Sequence, residues 1–518
     1  MPKIMTAAEA VKEFFYDGAT VATSGFVGAV HAETVSAAVQ AQFLETGHPK
    51  DLTLMWAAGQ GDSKEKCLNH YGEEGLLKCA IGGHWGLQPR MQKLALENKF
   101  AAYNLPQGVL SQLFRDIAAG KVGVLTHVGL NTFVDPRLEG GKLNDKAKEN
   151  GDIVEVVNVA GKELLLYKAR PVNVGVIRAS FADTQGNCTM HKEGVFAEAL
   201  AIAMAAKNSG GKVIVEVEKV VEYGSLDTRL VKIPGAYIDA IVVAENPMET
   251  HKMTNGSYFN PAFTGEIRVP MDAVAPLPMG DRKIIARRAA MELVPDAMVN
   301  LGIGMPEGVA TVCAEEGLEG MVLTTESGTI GGVPAGGGDF GVTTNPDCVL
   351  DQPYQFDFYD GGGLDVAFLG LAQMDKVGNI NVSKFGPKIA GCGGFINITQ
   401  NSRKVVYCGT FTTGGLKIHV ENNKLVIDQE GKTKKFLDTV EQVTFSGEYA
   451  NKVGQPVLYI TERAVFKLTP EGVELIEVAP GIDLQTQVLD LMDFKPIIKD
   501  VKEMDARIFS EGLMGLTL

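Results

Sequence analysis

Short runs of valine, isoleucine and alanine recur along this chain between stretches of helical apolar spacing, and no other feature narrows the fold as far. Examples are Ala19-Thr20-Val21-Ala22, Val122-Gly123-Val124-Leu125, the Lys212–Val217 run and Ala240-Ile241-Val242-Val243. Runs of four to eight such residues bounded by glycine or proline read as strands buried on both faces. Between them, Val109 to Ala119 and Arg282 to Leu293 carry apolar residues at helical spacing. A strand that is apolar on both sides needs cover on both sides. The alternation therefore predicts an α/β architecture with largely parallel sheets.

One pattern occurs twice. Val174-Gly175-Val176-Ile177 leads into Asp183-Thr184-Gln185-Gly186-Asn187, and Val366-Ala367-Phe368-Leu369 leads into Asp375-Lys376-Val377-Gly378-Asn379, 192 residues later. A looser pair links the segment from Asp17 to Ser24-Gly25-Phe26 with that from Asp296 to Gly302-Ile303-Gly304. Two related α/β domains in tandem are the economical reading. The Pro-containing segment Ala273–Gly280 is the expected linker, with a boundary near residue 278 and halves of 1–278 and 279–518.

Composition removes several function classes. The net charge of −15 argues against a general nucleic-acid binder. Seven cysteines are an odd number without repeated spacing, which indicates a reducing compartment rather than a disulfide framework. The start, Met1 to Glu9, lacks the basic and apolar segments of a signal peptide. No apolar run approaches the ~18 residues of a membrane span. A cytoplasmic protein is expected.

Glycine is abundant, 60 of 518 residues, against a typical ~7 %. Its clusters concentrate in the second half: Gly302-Ile303-Gly304-Met305-Pro306 after a strand, Glu326-Ser327-Gly328 with Gly331-Gly332, and Gly391-Cys392-Gly393-Gly394-Phe395. A strand, a Gly-x-Gly turn and an acidic residue 24 positions on imitate a dinucleotide site. Glu307 stands where the third glycine or alanine belongs, so that reading is set aside. Glu326 follows a strand-like segment, at the end where open α/β sheets place ligands. Small neighbours leave room for a substrate, and a carboxylate can serve as a covalent nucleophile. Being a carboxylate, it is expected to be ionised at neutral pH without a base. A plain turn or capping residue is the structural alternative.

Thr325-Glu326-Ser327-Gly328 with Gly331-Gly332, Asn300–Glu307, Gly391–Asn397, Tyr459–Phe466 and Glu477–Asp483 together resemble the family I coenzyme A transferases. The resemblance spans nearly the whole chain. With both halves fused, it is most similar to the single-chain propionate/acetate branch, and similar also to short-chain 3-oxoacid transferases. The resemblance implies a ping-pong exchange of CoA between an acyl-CoA and a free short-chain carboxylate, through a glutamyl-CoA thioester on Glu326. It implies oxyanion donors at Gly393 and Gly394, and a CoA arm along Gly302, Ile303, Gly304, Met305 and Pro306 and along Gly391 and Phe395. It places Gln107, in Pro106-Gln107-Gly108, in the acyl site, with Gly25 and Phe26 facing the same cleft. It implies coenzyme A as a substrate, no permanently bound cofactor or metal, and a homo-oligomer, taken as a tetramer. One departure stands out: Ala57-Ala58-Gly59-Gln60-Gly61 occupies the place of asparagines in relatives that use 3-oxoacids, which speaks against a 3-oxoacid acceptor. None of these loop positions is an arginine able to pair a second carboxylate, so small monocarboxylates are expected.

Lys417 is assigned to a CoA phosphate, a surface lysine being the plainer reading. Cys67, His70, Cys79 and His84 lack the tight paired spacing of zinc ligands. Cys392 reads as a small residue in a tight loop, and the segment from Glu421 to Lys435 as a solvated hairpin or helix face. Two rival functions are an acyl-CoA hydrolase using the same glutamate and a non-catalytic ligand sensor of related fold.

Overall fold

A computed structural model describes residues 1–270 and 275–518; Ala273 and Val274 of the expected linker lie outside the described residues. The residues group into two compact units. The first holds Met1–Val269, Thr325–Asp357 and Pro387–Asn397; the second holds Pro270–Thr324, Phe358–Gly386 and Ile398–Leu518. The first unit therefore draws residues from both halves of the sequence. Among the described residues no helix is long and apolar enough to cross a membrane.

The expected α/β class with largely parallel sheets is what the structure has. In the first unit eight strands lie side by side in the order Lys3–Met5, Ala240–Val243, Lys212–Val221, Val174–Asp183, Thr20–Thr23, Leu52–Trp56, Leu77–Gly82 and Ala101–Asn104. Every neighbouring pair is parallel. Val21, Leu54, Val174, Val176 and Ile214 are fully or almost fully buried, as strands covered on both faces require. Trp56 and Trp85 meet edge-on, ring centres 5.0 Å apart.

The Val122–Leu125 run departs from expectation. Gly123–Thr126 belongs to a separate antiparallel sheet with Lys162–Lys168 and Val154–Val159. Val124 is buried, whereas Val122 and Leu125 are exposed. This strand buries one face only, and four residues are too few for its alternation to be read in sequence.

In the second unit the strands Val322–Thr324, Met298–Leu301, Val366–Gly370, Val405–Cys408 and Val457–Ile460 run parallel in that order. Ala464–Thr469 and Gly472–Val478 continue the sheet antiparallel. The helix Asp281–Ala290 buries Ile284, Ile285 and Ala289, with Asp281 in its first turn and Arg287 and Arg288 in its last, the arrangement its dipole favours. The segment from Glu421 to Lys435 is mostly hairpin: Lys417–Glu421 pairs with Lys424–Gln429. Asn422 and Asn423 both take positive φ at its tip, as the twist of a two-residue hairpin requires.

The two Asp-x-x-Gly-Asn motifs fold alike. Asp183 Oδ1 accepts the backbone N–H groups of Gln185 and Asn187 at 2.9 and 3.0 Å, and Oδ2 accepts Asn187 Nδ2 at 2.8 Å. Asp375 Oδ1 accepts Val377 and Asn379 N–H at 3.1 and 3.0 Å, and Oδ2 accepts Asn379 Nδ2 at 3.0 Å. Each asparagine then uses its Oδ1 to accept a glycine N–H at 3.0 Å, from Gly235 in one case and Gly447 in the other. A buried aspartate that ties down its own turn explains why this spacing occurs twice.

Candidate active site

Glu326 lies in a tight turn, two residues beyond the end of the strand Val322–Thr324. Thr325 N–H donates to Thr329 O at 3.0 Å and Gly328 N–H to Thr325 O at 3.1 Å. The hydroxyls of Thr325, Ser327 and Thr329 bond one another, and Ser327 Oγ donates to Gly341 O at 2.7 Å. A turn with its own backbone and hydroxyls satisfied holds the glutamate at a fixed place.

The loop Gly391–Gly394 comes against that glutamate. A Cβ on Gly394 would stand 2.0 Å from Glu326 Oε2, so the absence of a side chain is what lets the backbone approach. The Gly394 N–H lies beside the carboxylate and favours its charged form. The loop itself is anchored. Trp85 N–H and Gly86 N–H donate to Ala390 O at 2.8 and 2.9 Å, Gly393 N–H to Gly83 O at 2.8 Å, and Gln107 N–H to Gly393 O at 2.9 Å. Asn104 Oδ1 accepts Cys392 N–H at 2.9 Å, while its Nδ2 donates to Gly82 O and Gly83 O. The Gly393 N–H is thus committed to the scaffold, and of the two expected oxyanion donors it is the Gly394 N–H that faces the carboxylate. Cys392 is buried, its thiol pushed up by burial, in keeping with a loop-filling residue. Phe395 follows, also buried, opening the helix Phe395–Asn401.

Gln107 opens the helix Gln107–Ala118 and is buried. Burial pushes the half-buried Glu326 carboxyl up to about 7, against the Gln107 amide and the Gly394 N–H, which both favour the charged form. The Gln107 Nε2 has no partner in hydrogen-bond geometry; it favours the carboxylate from nearby. The expectation of a fully ionised glutamate is corrected accordingly: near neutral pH a large share carries a proton, because the turn that positions it also withdraws it from water.

Gly25 and Phe26 lie in the same unit. Phe26 exchanges backbone hydrogen bonds with Ala29 at 2.9 and 2.8 Å, and its ring centre is 5.9 Å from that of Phe340. A Cβ on Gly25 would stand 3.0 Å from the side chain of Gln60. Gln60 is fixed in turn by Thr23 and by His31, whose Nδ1 lies 2.7 Å from Gln60 Oε1.

Sequence reasoning weighed His84 only as a zinc ligand and not as a neighbour of the Gly391 loop. Its Cα would be 3.0 Å from a Cβ on Gly391, and its ring packs on Gly59. Its Nδ1 is buried without a hydrogen-bond partner, and burial, with Lys388 nearby, lowers its pKa to about 4, so the ring is neutral. Gly82-Gly83-His84 directly after a strand was the available signal. His70 bonds Glu33 and Gln40. Among the described residues His31, Glu33 and Cys67 bring three potential metal-ligand atoms together, but both His31 nitrogens are already hydrogen-bonded, to Gln60 and Ser36.

The remaining expected residues belong to the second unit. Gly302, Ile303, Gly304, Met305 and Pro306 form the loop between the strand Met298–Leu301 and the helix Glu307–Glu316, with Ile303 63 % exposed. Lys417 is exposed at the start of the hairpin.

A family model described as Coenzyme A transferase matches residues 4–244. The chain is 47 % identical to the caffeate CoA-transferase of Acetobacterium woodii, over 100 % of this chain and 99 % of that protein. It is 42 % identical to the acetate CoA-transferase YdiF of Escherichia coli K12, over 99 % and 96 % respectively. The crystal structure of the acyl-CoA transferase YdiF from E. coli O157:H7, in a thioester complex with CoA, superposes with a TM-score of 0.93 at 41 % identity, over 100 % of this chain and 98 % of that one. A carboxylate under a glycine N–H, on this fold and with these relatives across its full length, places the chain in the coenzyme A transferase family, as a CoA-transferase.

Proposed function

We propose that Glu326 is the covalent nucleophile of a ping-pong exchange between a short-chain acyl-CoA and a free short-chain monocarboxylate. The observation that carries this reading is the Glu326 carboxylate set against the Gly394 N–H, where no side chain fits. Glu326 attacks the acyl carbonyl and the C–S bond breaks, giving a mixed anhydride and CoA thiolate. The thiolate attacks the glutamyl carbonyl, the first acid leaves, and Glu326 carries CoA as a thioester. A second carboxylate reverses the sequence. At the glutamyl carbon the developing oxyanion forms beside the Gly394 N–H, the donor closest at hand to stabilise it.

The substrate class is a small monocarboxylate such as acetate, propionate, butyrate or lactate. Relatives of comparable identity are named for acids as different as caffeate and acetate, so the acyl loops decide. Gly25, Phe26, Ala57, Ala58 and Gln107 offer small, apolar or amide surfaces and no cation for a second carboxylate. The CoA arm is assigned to Gly302–Pro306, Gly391 and Phe395, and a CoA phosphate to Lys417. CoA is a substrate, with no resident cofactor. By sequence the chain divides into halves 1–278 and 279–518, though the compact units cross that division; the proposed assembly is a cytoplasmic homo-oligomer of tetrameric order. The seven unpaired cysteines support that compartment.

Mixing the protein with propionyl-CoA and acetate tests the function. Acetyl-CoA formation supports it; free CoA release without acetyl-CoA means a hydrolase, and binding without chemistry means a sensor. Succinate outcompeting propionate as acceptor at equal concentration would overturn the substrate class.

A further inference from the structure

Glu198 is 1 % exposed, and neither of its carboxyl oxygens has a hydrogen-bond partner. A buried carboxyl with both oxygens unsatisfied is costly, and a group kept at that cost calls for a functional account. Glu198 immediately precedes the helix Ala199–Asn208 but makes no side-chain cap to it, so helix capping does not account for it. Burial pushes its pKa up to about 8, which leaves it a neutral acid near pH 7. The backbone N–H groups of Gly25 and of Glu198 itself moderate that rise, though neither reaches a carboxyl oxygen in hydrogen-bond geometry.

Its surroundings are those of the acyl loops. The backbone N–H of Gly25 acts on its carboxyl from another segment, and Gly25 packs on Gln60. Two chains of contact run from here to Glu326. In one, Ala197 O accepts Gln352 N–H at 2.9 Å, and Gln352 Nε2 points to Glu326 O at 3.4 Å. The Gln352 Oε1 is itself buried and unpartnered. In the other, Phe26, next to Gly25, packs against Gly341, whose carbonyl holds Ser327.

We propose that Glu198 is a specificity-determining residue of the acyl pocket, its carboxyl hydrogen-bonding a hydroxyl carried by the acyl chain. A neutral carboxyl offers one donor and one acceptor side by side, and an alcohol answers both, donating to the carbonyl oxygen and accepting from the acid proton. Plain alkyl acids of the same length leave both unmet. A site built to pair a hydroxyl discriminates against the analogue that lacks it. The inference rests on the acyl-site reading of Gly25 and on the proposed transfer.

Acceptor kinetics with acetyl-CoA as donor test it, using propionate, lactate and 3-hydroxypropionate. In the wild type at least one hydroxy acid should exceed propionate in kcat/KM by threefold or more; propionate ahead of both overturns the proposal without any variant. In E198L that advantage should fall about tenfold, mainly through KM, with propionate turnover kept within about threefold. In E198Q, whose amide also donates and accepts, the hydroxy-acid advantage should survive within about threefold. An equal fall for hydroxylated and plain acids in E198L would make Glu198 structural and overturn its role. Failure of the wild type to transfer CoA to any of the acids would instead overturn the proposed function.

Discussion

As the proposed nucleophile, Glu326 would have to meet two demands that oppose each other. To attack an acyl carbonyl it must be ionised, and to be positioned and shielded it must leave water. The compromise is a pKa of about 7, and it has a kinetic and a thermodynamic consequence. Thioester formation from propionyl-CoA in stopped flow, without acceptor, should rise tenfold per pH unit below about 6.5 and level off above about 7.5. A rate flat from pH 5 to 8 would rule out Glu326 as the titrating nucleophile. For stability, the folded pKa lies above the ordinary 4.5, so the folded state binds the proton more tightly. Native stability relative to Glu326→Gln should therefore be equal below about pH 4.5, decline between 4.5 and 7, and stay lower above 7. The difference amounts to at most about 3 kcal/mol for a shift of this size. Melting temperatures of the two proteins at pH 4.5 and pH 8 check this; a gap independent of pH counts against it. Catalytically, Glu326→Gln should lose a thousandfold or more, since an amide cannot form the anhydride. Glu326→Asp should lose roughly a hundredfold from a retreat of about an ångström. CoA attached to any other residue in peptide mass mapping would refute the mechanism. At this scale the sequence offered Glu326 as a candidate and misjudged its acidity, because burial of a carboxylate is created by segments distant in the chain.

Elements follow the sequence where both faces or one full helical stripe are buried. Ala240–Val243 is a strand of the length expected, and Gln107–Ala118 covers most of the predicted helix. Gly123–Thr126 shows the limit: a short one-sided strand has too few residues for its period to be read. The Asp-x-x-Gly-Asn echo was visible as letters, but the far glycine partners of Asn187 and Asn379 were not, since a backbone N–H leaves no mark in sequence. These turns carry a prediction. Asp375→Ala removes a 2 % exposed acceptor of four hydrogen bonds, leaving backbone donors buried and unpaired. It should cost about 2–4 kcal/mol, measured as a lower urea midpoint, and Asp183→Ala a similar amount. Asp375→Asn retains one acceptor oxygen and should recover part of the loss. A midpoint unmoved by Asp375→Ala would show that these turns decorate the fold without supporting it.

On the scale of the whole molecule, the first compact unit is assembled from distant stretches of chain, with Glu326 and Gly394 on the later stretches and Gln107 and Asn104 on the earliest. A 279–518 fragment therefore carries the glutamate without the residues that support it and should be inactive. Adding separately expressed 1–278 should restore transfer, because residues 325–357 and 387–397 pack with that portion. Full turnover by the later fragment alone would show the acyl site to be misplaced. Such a discontinuous unit is also why the sequence suggested a division by halves: composition and repeats follow the chain, whereas compactness follows contacts. The meeting of Glu326 with Gly394 has one more consequence, visible in a saturation library scored twice, once for cellular abundance and once for turnover. The atom that a Cβ at Gly394 would strike is the far end of a flexible side chain, which can swing aside and leave the protein intact. At Gly304 nothing lies within 4 Å of a would-be Cβ, and only its φ of +84 disfavours a side chain, a conformation asparagine tolerates. The two scores should part company at Gly394, abundant variants being inert, while Gly304→Asn persists in the abundance score, so that the library separates a glycine kept for reactivity from one kept for backbone shape.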